Sequence, residues 1–291
     1  MSWDTHPTDM GLLHRPMSKY IWSDHDLAKL KQLILERDKI VIFPHTGPDG
    51  DALGSTLAWA GLLRSAHPGA SVHVISPDPV ESYLAWLPAL DELVIFPLEE
   101  ERSLQLIAEA DLIFHLDHNQ ISRLRYPRLV EAATSAQAPR VLIDHHLYPE
   151  AGFDLTFSYA DASATSELIH ALALALGWRS AITPDLATLL LTGIITDTGR
   201  FMYSHLSPEL FVSTSDLLAL GADYPHVIDR LSYHNPEVQI RLQGYVLDQK
   251  LELYPELRAA CITLTQEELR RFGASKGDTE GLVNIPLTIE G

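Results

Sequence analysis

The chain has 291 residues, room for a sizeable core and more in keeping with two domains than one. Its 46% hydrophobic and 21% charged residues describe a soluble globular protein. Against 21 Lys and Arg stand 39 Asp and Glu, a formal charge of -18 that repels polyanions and excludes a long nucleic acid on a broad basic surface.

A short or small phosphorylated substrate stays open, because bound divalent ions reverse the local charge. The single cysteine, Cys261, excludes an intramolecular disulfide and a cysteine zinc cluster, and reads as a small buried hydrophobe in a strand. No apolar stretch reaches the roughly 18 residues of a membrane span, and residues 1–20 have no apolar core of a secretory signal, so a cytoplasmic location is expected.

In chain order, Lys39-Ile40-Val41-Ile42-Phe43 reads as a buried strand and residues 52–66 as a helix. Between them lie His45, Asp49 and Asp51, with Gly47, Pro48 and Gly50 to bend the backbone. Helix capping by Asp49 or Asp51 accounts for one carboxylate; a second carboxylate and an imidazole at the same point suit a metal ion. A phosphate loop would need a Lys and Ser/Thr pair that residues 47–54 lack.

Strands follow at 71–76 and 92–96, with a short helix or turn at 83–87 between them, then a helix opened by Glu99-Glu100-Glu101 and running to 110. Residues 111–118 form a strand with a polar end, 121–136 a helix, and 140–143 a strand running into Asp144-His145-His146. This alternation predicts an α/β fold with a parallel sheet flanked by helices. Such a sheet lines up three polar strand ends on one edge, and an apolar helix running from Leu189 into Asp197, stopped by Gly199, adds a fourth acidic position. Carboxylates and imidazoles in this number suit two divalent ions, Mn²⁺ or Mg²⁺, and phosphoester or phosphoanhydride hydrolysis.

Beyond Phe201, helices at 207–220, 224–232 and 236–249 have no strand between them. Strands at 251–254 and 258–265, a helix at 266–271 and a strand at 285–289 begin a smaller α/β domain. The expected organisation is an N-terminal extension over 1–20, a catalytic domain over 21–206, a helical connector over 207–249 and a partial C-terminal substrate-binding domain over 250–291. Trp59, Trp86 and Trp178 read as core rather than base-stacking platforms. His67, His73 and His170 read as ordinary, and Tyr203-Ser204-His205 as cleft lining or a plain loop.

His45-x-x-x-Asp49-Gly50-Asp51-Ala52-x-Gly54-Ser55, the triplet Asp144-His145-His146 and Gly193-Ile194-x-x-Asp197-Thr198-Gly199-x-Phe201 together resemble the DHH family of phosphoesterases, strongly over residues 39–201. Within it the chain is most similar to the nanoRNase type, which acts on very short oligoribonucleotides and on 3′-phosphoadenosine 5′-phosphate. The resemblance implies that His45 and Asp49 hold one metal, that Asp51, His145 and Asp197 hold the other, and that Asp117 bridges them. Its place at the strand end favours Asp117 over Asp111.

By the same resemblance Asp144 orients a ligand imidazole, and His146 contacts the phosphate or protonates the leaving oxygen. Arg200 pairs with Asp197 or stabilises phosphoryl charge. The family's C-terminal Gly-Gly-His motif is not in this sequence, which implies a truncated or shortened substrate lobe. Expected partners are a short oligonucleotide or small nucleotide, no membrane, and a second copy as a homodimer. The rival readings are a manganese pyrophosphatase or exopolyphosphatase and a noncatalytic nucleotide-binding regulator. The pyrophosphatase needs a cationic pocket, whereas residues 250–291 offer Lys250, Arg258, Arg270, Arg271 and Lys276. Asp51→Asn is expected to abolish activity and leave the fold intact.

Overall fold

A computed structural model describes residue 20 and residues 22–202, 206–274, 277–279 and 281–290. Residues 1–19 of the expected N-terminal extension and Tyr203-Ser204-His205 lie outside the described residues. The chain divides into two compact units, one holding Leu87–Tyr224 and the residues before Val80, the other Val80–Trp86 and Pro225–Gly291.

The first unit runs α1 (Asp24–Leu35), β1 (Lys39–Phe43), α2 (Gly50–Ala66), β2 (Ser71–Ser76), β3 (Leu93–Ile95), α3 (Glu100–Glu109), β4 (Leu112–Leu116), α4 (Pro127–Ser135), β5 (Arg140–Asp144), β6 (Leu155–Ser158), α5 (Thr165–Ala175), α6 (Pro184–Asp197) and α7 (Pro208–Ala219). All six strands are parallel in the order β3-β2-β1-β4-β5-β6. The order reverses between β1 and β4, where an open parallel sheet leaves a crevice outside its carboxyl ends. β1, β4 and β5 are neighbours, so the three polar strand ends read from the sequence lie side by side.

Three elements go beyond the sequence expectations. α1 is capped by Ser23, whose side chain accepts from the Asp26 N–H. β6 is a four-residue edge strand whose short run carries little pattern. α5 is buried from Thr165 to Ala173, so its apolar residues go all the way round and give no period. The helix expected over 121–136 is broken. A 3-10 turn at Ile121–Leu124 ends in Arg125 at φ 67°, and α4 starts at Pro127, which drives the residue before it out of the helical region.

α2 is buried from Gly50 to Ala60 and lies against α6. Glycines set the approach: a Cβ on Gly54 would overlap the Leu189 carbonyl oxygen, and one on Gly61 would lie 2.6 Å from Leu186 Cδ2. Trp59 is fully buried and edge-packed on Phe114 as expected, while Trp86 and Trp178 are half-buried. His170 Nε2 bonds Asp216 Oδ2 at 3.0 Å and Arg179 Nε donates to Asp216 Oδ1 at 3.0 Å, tying α7 to α5. Asp216 is thereby held low, at about 2, first by His170, with burial opposing and Arg179 assisting.

The second unit contains α8 (Tyr224–Tyr233, from its second residue), α9 (Glu237–Tyr245), an antiparallel ribbon of β7 (Leu251–Tyr254) and β8 (Ala259–Ile262), and α10 (Gln266–Phe272) with a Thr265–Glu268 capping box. Residues 207–249, expected as one connector, thus divide, with α7 packed on α5 and α6 and α9 in the second unit. Two expectations fail here. Cys261 does lie in a strand but is exposed, because the ribbon has no third strand among the described residues. Residues 285–289 are not a strand: a 3-10 turn spans Leu282–Thr288, and Pro286 has no N–H to give a ladder. No helix among the described residues is long and apolar enough to cross a membrane.

Candidate metal centre

β1 ends in a buried His45 whose Nδ1 lies 2.8 Å from the Thr46 carbonyl oxygen. A carbonyl only accepts, so Nδ1 carries a proton and Nε2 faces Asp117 Oδ2 at 3.5 Å and Asp49 Oδ2 at 3.8 Å. Asp49 answers both readings of the loop at once. Its Oδ1 accepts the N–H groups of Asp51 and Ala52 as the cap of α2, and its Oδ2 turns to His45.

Asp51, one residue into α2, is fully buried. Its Oδ2 accepts from Thr165 N (2.6 Å) and its Oδ1 from Ser166 N (2.8 Å), the first N–H groups of α5. The N-cap of α5 is Ala164, which has no side-chain acceptor, and Asp51 supplies that function from 114 residues away. Asp51→Asn would turn an NH₂ toward one of two N–H donors, so the expectation of an intact fold is revised. The variant should lose about 1–3 kcal/mol in urea unfolding of the metal-free protein; unchanged stability would contradict this capping role.

Asp117 follows β4 at φ 61°, a left-handed conformation that Asp tolerates better than most residues. Its Oδ1 accepts from Thr165 Oγ1 at 2.9 Å and lies 3.4 Å from His145 Nε2. Beneath it, His118 Nδ1 donates to the Leu116 carbonyl at 2.8 Å, which leaves His118 Nε2 to accept from His115 Nδ1 at 3.0 Å. Burial pushes both imidazoles down, His118 to about 4; the rings are bonded to each other and to the Leu116 carbonyl, and neither joins a donor cluster among the described residues. Asp111, the other carboxylate of the strand, accepts the N–H groups of Asp38 and Lys39 at the opposite end of β4.

After β5, His145 Nδ1 lies 3.3 Å from the Ala162 carbonyl oxygen and Nε2 faces Asp197 Oδ2 (3.1 Å), at the end of α6, and Asp51 Oδ2 (3.9 Å). The imidazole that Asp144 orients is that of His146: Oδ1 accepts from Nδ1 at 2.7 Å and Oδ2 from the His146 N–H at 3.1 Å. Arg200 lies in the turn after α6, exposed and at φ 60°, with its N–H on the Ile195 carbonyl.

Donor atoms of His45, Asp49 and Asp117 lie within 4.8 Å of one another, as do those of Asp51, His145 and Asp197, and of Asp117, His145 and His146. Four carboxylates, Asp49, Asp51, Asp117 and Asp197, surround the imidazoles of His45 and His145, so acidic groups outnumber the rings by two. Burial opposes charge on His45 and His145, but Asp117, with Asp49 or Asp197, outweighs it and pushes them up to about 11 and about 12. Asp117 is held well below the usual range by these two rings despite its burial. Burial, then Asp117, push Asp51 up, and burial also lifts Asp197 to about 6. Divalent cations relieve such crowding, and mixed oxygen and imidazole donors fit Mn²⁺ or Mg²⁺.

Sequence reasoning missed Thr165 and Ser166. Thr165-Ser166-Glu167 ahead of an apolar run is a helix-start signature, and Glu167 Oε2 does reach back to the Ser163 N–H at 2.9 Å. That signal locates the helix start without revealing which carboxylate caps it.

The sequence profile of the DHH family, N-terminal domain, matches residues 39–194. The chain is 28% identical over 264 residues to a probable bifunctional oligoribonuclease and PAP phosphatase NrnA of Streptococcus mutans, covering 91% of this chain and 77% of that protein. It is 31% identical over 232 residues to the bifunctional oligoribonuclease and PAP phosphatase NrnA of Mycoplasma pneumoniae, covering 79% and 67%. Among solved structures, an exopolyphosphatase-related protein from Bacteroides fragilis superposes with a TM-score of 0.89 at 35% identity, over 94% of this chain and 79% of that one.

Proposed function

Since the chain belongs to the DHH family, we propose that it is a metal-dependent phosphoesterase that hydrolyses short oligonucleotides and 3′-phosphoadenosine 5′-phosphate. The observation that carries this is the position of Asp117, whose two carboxylate oxygens turn to His45 and His145, one in each donor set. His45, Asp49 and Asp117 would hold one divalent ion; Asp51, His145 and Asp197, with Asp117 shared, would hold the other. Two such ions supply a clamp on a phosphoryl group and a water of lowered pKa as nucleophile. Imidazole among the carboxylates favours Mn²⁺ over Mg²⁺.

The remaining side chains divide the work on the substrate. Asp144 accepts a hydrogen bond from His146 Nδ1–H and so reserves Nε2 for a phosphoryl oxygen or, as a proton donor, for the leaving oxygen. Arg200, in the turn that follows Asp197, is assigned to phosphoryl charge. Asp49, half exposed, marks the solvent side of the centre, where substrate enters.

The test offers Mn²⁺-loaded protein a two- to five-nucleotide RNA, 3′-phosphoadenosine 5′-phosphate and pyrophosphate in parallel, with Asp197→Asn as control. Turnover of either nucleotide substrate, lost in the variant, is expected. Turnover of pyrophosphate alone would replace this reading with a pyrophosphatase, and metal binding with silence on all three substrates would replace it with a binding protein.

A further inference from the structure

Asp78 is a buried carboxylate just past the end of β2, on the same sheet edge as His45, Asp117 and Asp144, and it belongs to none of the donor sets. Its Oδ2 accepts from Thr46 Oγ1 at 2.5 Å and from the Gly47 N–H at 2.7 Å; its Oδ1 accepts from Tyr126 Oη at 3.0 Å. Ser76 Oγ donates to the Asp78 carbonyl at 2.6 Å and holds this residue's own backbone in place. Thr46 is gripped on its other side, with its N–H on the Arg123 carbonyl at 2.9 Å.

The two residues so held are those that follow His45. Thr46 supplies the carbonyl that orients the His45 ring, and Gly47, at φ 59°, makes the turn that carries the chain to Asp49. We infer that Asp78 is a positioning residue for one metal position, the one formed by His45, Asp49 and Asp117, acting through Thr46 and Gly47. The other set stands on a different scaffold, with Asp51 on the start of α5 and His145 on the Ala162 carbonyl. Two scaffolds make the effect of Asp78 selective, which a general loss of stability would not be. Outer partners of this kind typically govern metal affinity by about 10- to 100-fold.

The inference rests on the metal reading above, and the experiment separates the two. Mn²⁺ titration of the full chain, followed by calorimetry and by electron paramagnetic resonance of free and spin-coupled Mn²⁺, is expected to show two ions in the wild type. Asp78→Ala should weaken one of them about 10- to 100-fold, abolish the spin-coupled signal at limiting Mn²⁺, and weaken the other ion by a clearly smaller factor, because Asp51 and His145 keep their own anchors on α5 and the Ala162 carbonyl.

Asp78→Asn should restore binding in large part, because its amide oxygen can face Thr46 and Gly47 while its NH₂ donates to Tyr126 Oη. Thr46→Val, which keeps the volume and removes the hydroxyl, should shift the same ion by a smaller factor. Equal weakening of both ions by Asp78→Ala, or weakening of neither, would overturn the inference alone. A wild type that binds no Mn²⁺ would overturn the metal reading and this inference with it.

Discussion

Asp117→Asn is expected to cut turnover of a dinucleotide by about 10³- to 10⁵-fold, the several kcal/mol that a metal pair contributes to phosphoryl transfer, while the protein stays folded. Asparagine has the same shape and tolerates the left-handed backbone of this position. Its amide oxygen can still accept from Thr165 Oγ1. What it cannot do is present an anionic oxygen to both His45 and His145. On the proposed assignment of Asp117 to both ions, calorimetry should show both Mn²⁺ affinities falling together.

Asp197→Asn makes the comparison sharp, because Asp197 belongs to one set and should weaken one ion. A variant of Asp117 that kept turnover within tenfold of the wild type, or lost only one ion, would show that the carboxylate is not shared.

The candidate donors were legible in the sequence because each ends or opens a regular apolar run. His45, Asp117 and His145 follow strands, Asp197 closes a helix, and Asp49 and Asp51 start one, so local pattern and parallel topology bring polar ends to one sheet edge, and the family resemblance picks the donors out among them. What holds them was not legible. Asp51 is fixed by the backbone N–H groups of Thr165 and Ser166, which any residue but proline offers, and only the folded chain brings them there. Asp78 looks like a turn residue after a strand until its bonds to Thr46 and Gly47 are seen.

Misreadings of elements have equally physical causes. α5 is buried all round and shows no stripe, and Pro127 interrupts a helix that hydrophobicity alone would continue. Residues 285–289 alternate like a strand, yet Pro286 removes the donor that pairing needs.

The glycines of the two helix-bearing motifs have a role that spacing did not reveal, and it yields a ranked set of outcomes. A Cβ on Gly54 of α2 would overlap the Leu189 carbonyl oxygen of α6, a backbone atom that no rotamer change can move aside. Gly54→Ala therefore forces the two helices apart, and these are the helices that carry Asp51 and Asp197. Alanine gains about 1 kcal/mol in helix propensity over glycine, too little to offset overpacking between buried backbones; a net loss of about 3 kcal/mol or more is expected.

At Gly61 the obstacle 2.6 Å away is Cδ2 of a half-buried Leu186, the far end of a flexible side chain. Gly61→Ala should fall within about 1 kcal/mol of the wild type, its propensity gain offsetting the rotation of Leu186. Gly193→Ala comes between in cost but strikes the site directly, since its Cβ would overlap Ser166 Oγ and lie 2.6 Å from Asp51 Oδ1. Ser166→Gly would clear the hydroxyl and still leave Asp51 displaced, so the double variant should regain stability but not the ion held by Asp51, His145 and Asp197. Urea unfolding and Mn²⁺ titration of these variants check the ranking. Equal stability of Gly54→Ala and Gly61→Ala would mean that close approach of α2 and α6 does not set the separation of Asp51 and Asp197.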